Sequence, residues 1–182
     1  FVFLDPAQTA EQFQNVIAHE LHHIGFASLP EDKCAATPAV CLARKWSGGF
    51  GEGFAMLAAA GGPDVHPHRH SKPEDRARWD RDVARFDADL ARVQAFLRAV
   101  AAGELDEAAS TERGMEFFGV QGPWYTVGWT MAVDIERCLG RAVLVGAMRR
   151  PWTVLERFNE AARRCPEGRA TWDPAFLKKL RG

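Results

Sequence analysis

The run His19-Glu20-Leu21-His22-His23 restricts the fold of this chain more than any other stretch of its sequence. On an α-helix, His19 and His23 would lie one turn apart on one face, where both imidazoles can bind the same metal ion. Glu20 would project from the edge of that face. This H-E-x-x-H pattern is typical of sites in which two histidines bind Zn²⁺ and the glutamate transfers a proton. The pattern therefore predicts a helix around these residues and a third ligand elsewhere in the chain.

The sequence around the motif predicts that helix. Thr9 with Gln12 is a candidate N-terminal cap, and Asp5-Pro6 is an earlier candidate start. Apolar residues then recur at helical spacing, on a side of the helix that is about 200° from His19. A helix with an apolar stripe on one side and ligands on another is expected to be central and largely buried. The stripe consists of Phe13, Ile17, Leu21 and Ile24.

Three templates for the third ligand can be compared with the sequence. The metzincin pattern needs glycine at position 26 and histidine at position 29, where this chain has Phe26 and Leu29, so it is excluded. The inverted H-x-x-E-H order is also absent. A glutamate on a following helix remains. Glu52 fits this template, because the alanine-rich run from Phe50 to Ala60 predicts a second helix that ends at Gly61-Gly62-Pro63.

The two segments together resemble the gluzincin metallopeptidases, in which H-E-x-x-H is followed by a sequence close to Gly51-Glu52-Gly53-Phe54-Ala55. The longer run from position 51 to position 66, with the Trp-Tyr-Thr-Val-Gly-Trp segment at 124–129, is similar to bacterial domains described as zinc-dependent peptidases. The resemblance implies that His19, His23 and Glu52 bind zinc, that Glu20 is the general base and that the substrate is a peptide or protein. Gluzincins usually place a β-sheet before the motif helix, and here only positions 1–4 could belong to one.

Other side chains are weaker candidates for the site. Tyr125 is the only tyrosine of the chain, and its hydroxyl could donate a hydrogen bond to a tetrahedral intermediate. A core tyrosine with a satisfied hydroxyl is the alternative interpretation. Asp134 or Glu136 could orient a ligand histidine. These residues all belong to one predicted helix, Trp124 to Leu139.

Histidines outside the ligand pair have less specific interpretations. His66, His68 and His70 form a dense loop that could hold a second metal or stabilise an oxyanion, with His66 the first choice for a catalytic role. Solvated loop histidines are the alternative. His22 faces away from the ligand pair and is expected to be a surface residue or to support a ligand.

The rest of the sequence predicts a mainly α-helical, compact single domain covering residues 1–182, built around the motif helix, with at most a short strand at Phe1 to Leu4. Residues 27 to 48 are expected to form an irregular connection. Ser71 is expected to begin a long helix that continues to about Ala102. In the helix from Trp124 to Leu139, the small residues Gly128 and Ala132 would allow close approach to a neighbour.

The composition of the chain limits the kinds of partner that it is expected to bind. A net charge of −1 gives no argument for nucleic acid, and no apolar run approaches the roughly 20 residues of a membrane span. The four cysteines allow two disulfides or four thiols, and they slightly favour an exported protein. Since the chain begins at Phe1, we expect it to be part of a longer precursor.

The sequence has two alternative functional interpretations besides a zinc peptidase. A di-iron helical protein would need a second E-x-x-H motif, and no other glutamate in the chain is followed by a histidine three residues later. A helical interaction module that binds zinc without turnover remains open, because Glu20 shows only that a base is available.

Overall fold

The computed structural model describes residues 7–30 and 33–182, and within these ranges the chain forms helices and no β-strand. The prediction of a mainly helical fold is therefore confirmed, whereas the strand predicted at Phe1 to Leu4 lies outside the described residues. No described helix is both long enough and apolar enough to cross a membrane. A 3-10 turn, Ser47–Phe50, joins α2 to α3. The α-helices are α1 (Ala10–Ala27), α2 (Pro38–Trp46), α3 (Gly51–Ala60), α4 (Pro73–Val83), α5 (Phe86–Ala102), α6 (Glu107–Glu116), α7 (Pro123–Leu139), α8 (Arg141–Met148), α9 (Pro151–Arg164) and α10 (Pro174–Arg181).

Helix α7 forms the centre of the fold. It packs against α3, α5, α8 and α9, and Trp124, Val127, Met131 and Ile135 along its length are each 0% exposed. Trp124 packs edge-to-face on Phe50, with the ring centroids 4.9 Å apart. Because each large apolar side chain contributes roughly 1.5–3 kcal/mol when it is fully buried, the packing around α7 supplies much of the stability of the fold.

The backbones of α3 and α7 touch because each helix has a glycine at the crossing. A Cβ atom added at Gly53 would lie 2.0 Å from the backbone nitrogen of Trp129, and one added at Gly128 would lie 2.7 Å from the carbonyl oxygen of Phe50. The prediction that small residues of α7 permit close approach is therefore confirmed at Gly128. Since Glu52 directly precedes Gly53 on α3, this contact also fixes how close Glu52 comes to α7.

Helix α1 lies at the periphery, so the prediction of a central and largely buried motif helix is wrong. None of its residues is buried, and α3 is its main neighbour. Phe13, Leu21 and Ile24 of the apolar stripe are 38%, 59% and 65% exposed. The physical reason is that the ligand face turns inward to meet α3, which leaves the stripe on the outer side of the helix.

Two helix boundaries also differ from the prediction. The connection at 27–48 contains α2, which Thr37 caps through its side chain. The helix expected from Ser71 to Ala102 is divided into α4 and α5, and α4 ends at Val83. The two parts have different neighbours: α4 packs on α7, whereas α5 packs on α2 as well as α7.

All four cysteines are paired, which decides between the two alternatives that the sequence left open. Cys34–Cys41 closes the connection between α1 and α2, and Cys138–Cys165 joins the end of α7 to the residue after α9. Each cross-link limits the freedom of the unfolded chain, which typically contributes about 2–4 kcal/mol. The disulfides therefore hold the segment before α2 to that helix, and the end of α7 to the end of α9.

Candidate metal centre

His19 and His23 point from one face of α1 toward a single point. Their Nε2 atoms are 3.0 Å apart, and their ring centroids are 4.7 Å apart. The helix begins where the sequence predicted, since Thr9 and Gln12 exchange the two hydrogen bonds of a capping box. Two side chains on the same part of α1 then hold it in place. Gln12 donates to the carbonyl oxygen of His70 over 2.7 Å, and Asn15 donates to that of Ala59 over 3.1 Å.

Glu52 completes the group from the first turn of α3. Its Oε2 atom is 3.3 Å from Nε2 of His19 and 3.3 Å from Nε2 of His23. Ligand atoms that bind tetrahedral zinc at about 2.0–2.1 Å are about 3.3 Å from one another, so the observed triangle has the size of a zinc site. Within residues 7–30 and 33–182, no other three His, Cys, Asp or Glu residues are gathered in this way.

The charge of the group is set by contacts between its members. Burial alone would raise the pKa of Glu52, but hydrogen bonds from His19 and His23, with a further one from Tyr125, lower it to about 2. The hydrogen bond to Glu52 raises the pKa of His23, although burial opposes this effect. Glu52 is therefore ionised throughout the physiological pH range. Two imidazoles with one carboxylate form a donor set that catalytic zinc sites use.

Tyr125 reaches the same group from the first turns of α7. Its hydroxyl donates a hydrogen bond to Glu52, and its ring lies nearly parallel to that of His19, at 10° and 6.4 Å between centroids. Burial, followed by the negative charge of Glu52, raises the pKa of Tyr125 well above its ordinary value. The hydroxyl therefore keeps its proton and can orient the carboxylate. That Tyr125 donates a hydrogen bond to a tetrahedral intermediate stays a prediction.

Glu20 lies on α1 beside the ligand pair, with its side chain exposed to solvent. Its negative charge contributes to the raised pKa values of both His23 and Tyr125. The carboxylate is thus within electrostatic range of the group and open to water, as a general base must be.

His66 lies in a structured loop and interacts with Asp80. Its Nε2 is 2.9 Å from Oδ1 of Asp80, and its Nδ1 accepts a hydrogen bond from the backbone nitrogen of His68. His68 is itself buried against Trp79 and bonds to Ser71. Both ring nitrogens of His66 are therefore engaged. Among the described residues, the loop contains no second cluster of side chains that could bind a metal ion. The catalytic role of His66 stays a prediction.

His22 lies between the metal centre and an apolar cavity. Its ring is 6.1 Å from that of His23 between centroids, and burial lowers its pKa to about 4. The buried Nδ1 atom of His22 has no hydrogen-bond partner. His22 is therefore partly buried and not a plain surface residue.

Asp134 and Glu136 interact with arginines and not with the ligand histidines. Glu136 is 3.0 Å from Arg141, and Asp134 is 3.4 Å from Arg169. Burial raises the pKa of Asp134 to about 6, even though Arg169 acts to lower it. Asp134 is therefore a buried acid in a part of α7 beyond the metal centre.

Asp134→Asn is expected to flatten the pH dependence of the free energy of unfolding. The folded-state pKa of about 6 exceeds the ordinary value of 3.8. The protonated carboxyl therefore stabilises the folded state fully at pH values below about 3.8, and this stabilisation is lost as the pH rises through 6. The loss corresponds to about 2–3 kcal/mol. Urea unfolding between pH 4 and 7.5, with a chelator present throughout, measures it. Asp64→Asn is the control, because the Asp64 side chain is 83% exposed. Parallel pH curves for the Asp134 variant and the original protein would contradict the assignment.

The sequence reasoning missed the residues that fix α1 against the rest of the protein. Asn15 lies one turn before His19 on the same helix face, so its position relative to the ligand was visible in the sequence. Gly53 is part of the motif around Glu52, and its close contact with α7 brings Glu52 toward Tyr125. A polar residue next to the ligands and a glycine inside a helix are the signals that could have identified them.

Comparison with known proteins identifies a sequence family for this chain. No match is found among curated proteins or among solved structures. A family model described as "Putative zinc dependent peptidase (DUF5700)" matches residues 2–167, a range that includes the ligand triangle, Glu20 and Tyr125. Since this match covers most of the chain, the protein belongs to that family.

Proposed function

We propose that this protein is a gluzincin-type zinc peptidase in which His19, His23 and Glu52 hold the metal and Glu20 is the general base. The observation that carries the proposal is the triangle of ligand atoms, with sides of 3.0, 3.3 and 3.3 Å, which has the size of a zinc site. The family match and the exposed carboxylate of Glu20 support it. The substrate would be a peptide or a protein.

Each residue of the group has a defined task in this proposal. When bound, zinc supplies a Lewis acid that lowers the pKa of water and polarises a carbonyl group. Glu20 accepts the proton of the attacking water and passes it to the leaving amine. Tyr125 keeps Glu52 oriented through its hydrogen bond. Asn15 holds α1 so that the two imidazoles stay in register with α3.

Glu20→Gln is expected to lower peptide cleavage by about a hundredfold or more while leaving zinc content unchanged, because it removes the base and keeps the side-chain size. Metal analysis of the purified protein gives the zinc content, and mass spectrometry of a diverse peptide mixture gives the cleavage rate. Glu112→Gln is the matched control, because Glu112 is an exposed glutamate on α6.

The outcomes separate the alternatives. One zinc per chain with cleavage that depends on Glu20 supports the peptidase. Cleavage that is unaffected by Glu20→Gln contradicts the assigned base. Bound zinc without cleavage of any peptide would indicate a zinc-binding module without turnover, and a protein without stoichiometric zinc would contradict both functions.

A further inference from the structure

An apolar cavity of about 540 Å³ lies between α1, α3 and α8. Its volume is within the range of about 300–1,000 Å³ that is common for ligand pockets. The cavity, which we call the apolar pocket, opens toward solvent, so an outside group can enter it. Its walls include Phe26 from α1, Phe54 and Leu57 from α3, and Leu144 and Met148 from α8.

The apolar pocket lies near the candidate metal centre, because two helices contribute residues to both. Helices α1 and α3 supply both the ligand triangle and part of the pocket lining. His22 lines the pocket and directly precedes the ligand His23, while Phe54 follows Glu52 by two residues on α3. None of His19, His23 and Glu52 lines the pocket, and the ring of His22, 6.1 Å from that of His23 between centroids, lies between the two sites.

The rim of the apolar pocket carries unbalanced positive charge. Arg141 is paired with Glu136. Arg149 also lines the pocket and is exposed. It forms no ion pair with any residue that the structure describes. An unpaired guanidinium at the opening of an apolar cavity favours a ligand that joins an apolar body to a negative group.

We propose that the apolar pocket binds a large apolar side chain of the peptide substrate and that Arg149 selects an acidic residue next to it. This inference rests on the proposed peptidase function, and it names the class of substrate. A fatty acid would also combine an apolar body with a negative charge. The peptide is favoured because the pocket walls are the helices that carry the ligand triangle.

A glycine on α1 offers a way to fill the apolar pocket without disturbing the ligands. Gly25 lines the pocket, and a Cβ atom added there meets nothing within 4 Å, so Gly25→Leu would place its side chain in the cavity. Gly146→Leu is the matched control. Gly146 is also helical and open around its Cβ position, but it lies outside the pocket lining.

The first measurement follows binding of anilinonaphthalene sulfonate, a fluorescent apolar anion, to the zinc-loaded protein. We expect one probe per chain, with affinity about tenfold lower in Gly25→Leu because the cavity is filled, and unchanged in Gly146→Leu. Arg149→Gln is expected to weaken binding about threefold at low salt and less at high salt. Arg164→Gln, a change at another exposed arginine, is the control.

The second measurement replaces the probe with short peptides. Acetyl-Leu-Asp-amide is expected to displace the probe, acetyl-Gly-Asp-amide is not, and acetyl-Leu-Lys-amide is expected to compete less well. If cleavage is found, Gly25→Leu should shift it away from sites next to leucine, methionine and phenylalanine.

Displacement does not require turnover, so the apolar pocket is tested separately from the peptidase reaction. The proposal is overturned if Leu-Asp fails to displace the probe, if it displaces the probe equally well from Gly25→Leu, or if decanoate competes while the peptides do not. Each of these results leaves the Glu20→Gln experiment to decide the proposed function on its own.

Discussion

Glu52→Ala is expected to weaken zinc binding about a thousandfold and to reduce cleavage below detection. The variant removes one of the three proposed protein ligands, each of which would supply about 3–4 kcal/mol of the binding free energy. The half-buried carboxylate also places a negative charge beside the two imidazoles, since its Oε2 atom is 3.3 Å from the Nε2 atom of each. Competition with a chromophoric zinc chelator gives the affinity of the variant and of the original protein.

Glu107→Ala is the matched control for this change. Glu107 also lies in the first turn of a helix and is exposed, with a distant ion pair to Lys45. If Glu52 served only as a negative charge at a helix N-terminus, both variants would lose about 0.3–1 kcal/mol of stability and keep their zinc. A zinc affinity of Glu52→Ala within threefold of the original protein would exclude Glu52 as a ligand.

Gly53→Ala is expected to lower the free energy of unfolding by about 3 kcal/mol, although alanine is the better helix former. The added Cβ would lie 2.0 Å from the backbone nitrogen of Trp129, so α3 and α7 would have to separate. That separation would also draw Glu52 away from Tyr125 and weaken zinc binding. Urea unfolding with and without zinc measures both effects.

Gly51→Ala is the control for Gly53→Ala, because it changes the same residue type in the same helix. A Cβ atom at Gly51 meets nothing within 4 Å, so this variant is expected to gain about 0.5–1 kcal/mol from helix propensity. Equal stability of the two variants would show that the α3–α7 contact does not require a glycine at position 53.

The sequence predicted the parts of the site that depend on local spacing. The spacing of His19 and His23 determines that they share a face once a helix forms, and Gly61 indicates where the helix of Glu52 ends. The triangle itself could not be predicted, because it depends on the crossing of α1 and α3. The hydrogen bond between Tyr125 and Glu52 likewise depends on how closely α7 approaches α3.

The position of α1 could not be predicted for a related reason. Periodicity identifies an apolar stripe, but it does not say which side of the helix meets the protein. Here the polar ligand face turns inward, because Glu52 lies on the neighbouring helix, and Leu21 remains 59% exposed. The expectation at 27–48 was wrong because a proline can begin a helix, and Pro38 occupies the first turn of α2.

The peripheral attachment of α1 divides the stability of the molecule into two levels. The core around α7 would persist if α1 detached, because no residue of α1 is buried in it. An ion held by His19, His23 and Glu52 would join α1 to α3 across their contact, so metal occupancy would set the free energy at which α1 opens. The protein would therefore lose the proposed zinc site through a local opening at temperatures where its core is still intact. Its working range would be limited by the docking of one helix and not by global unfolding.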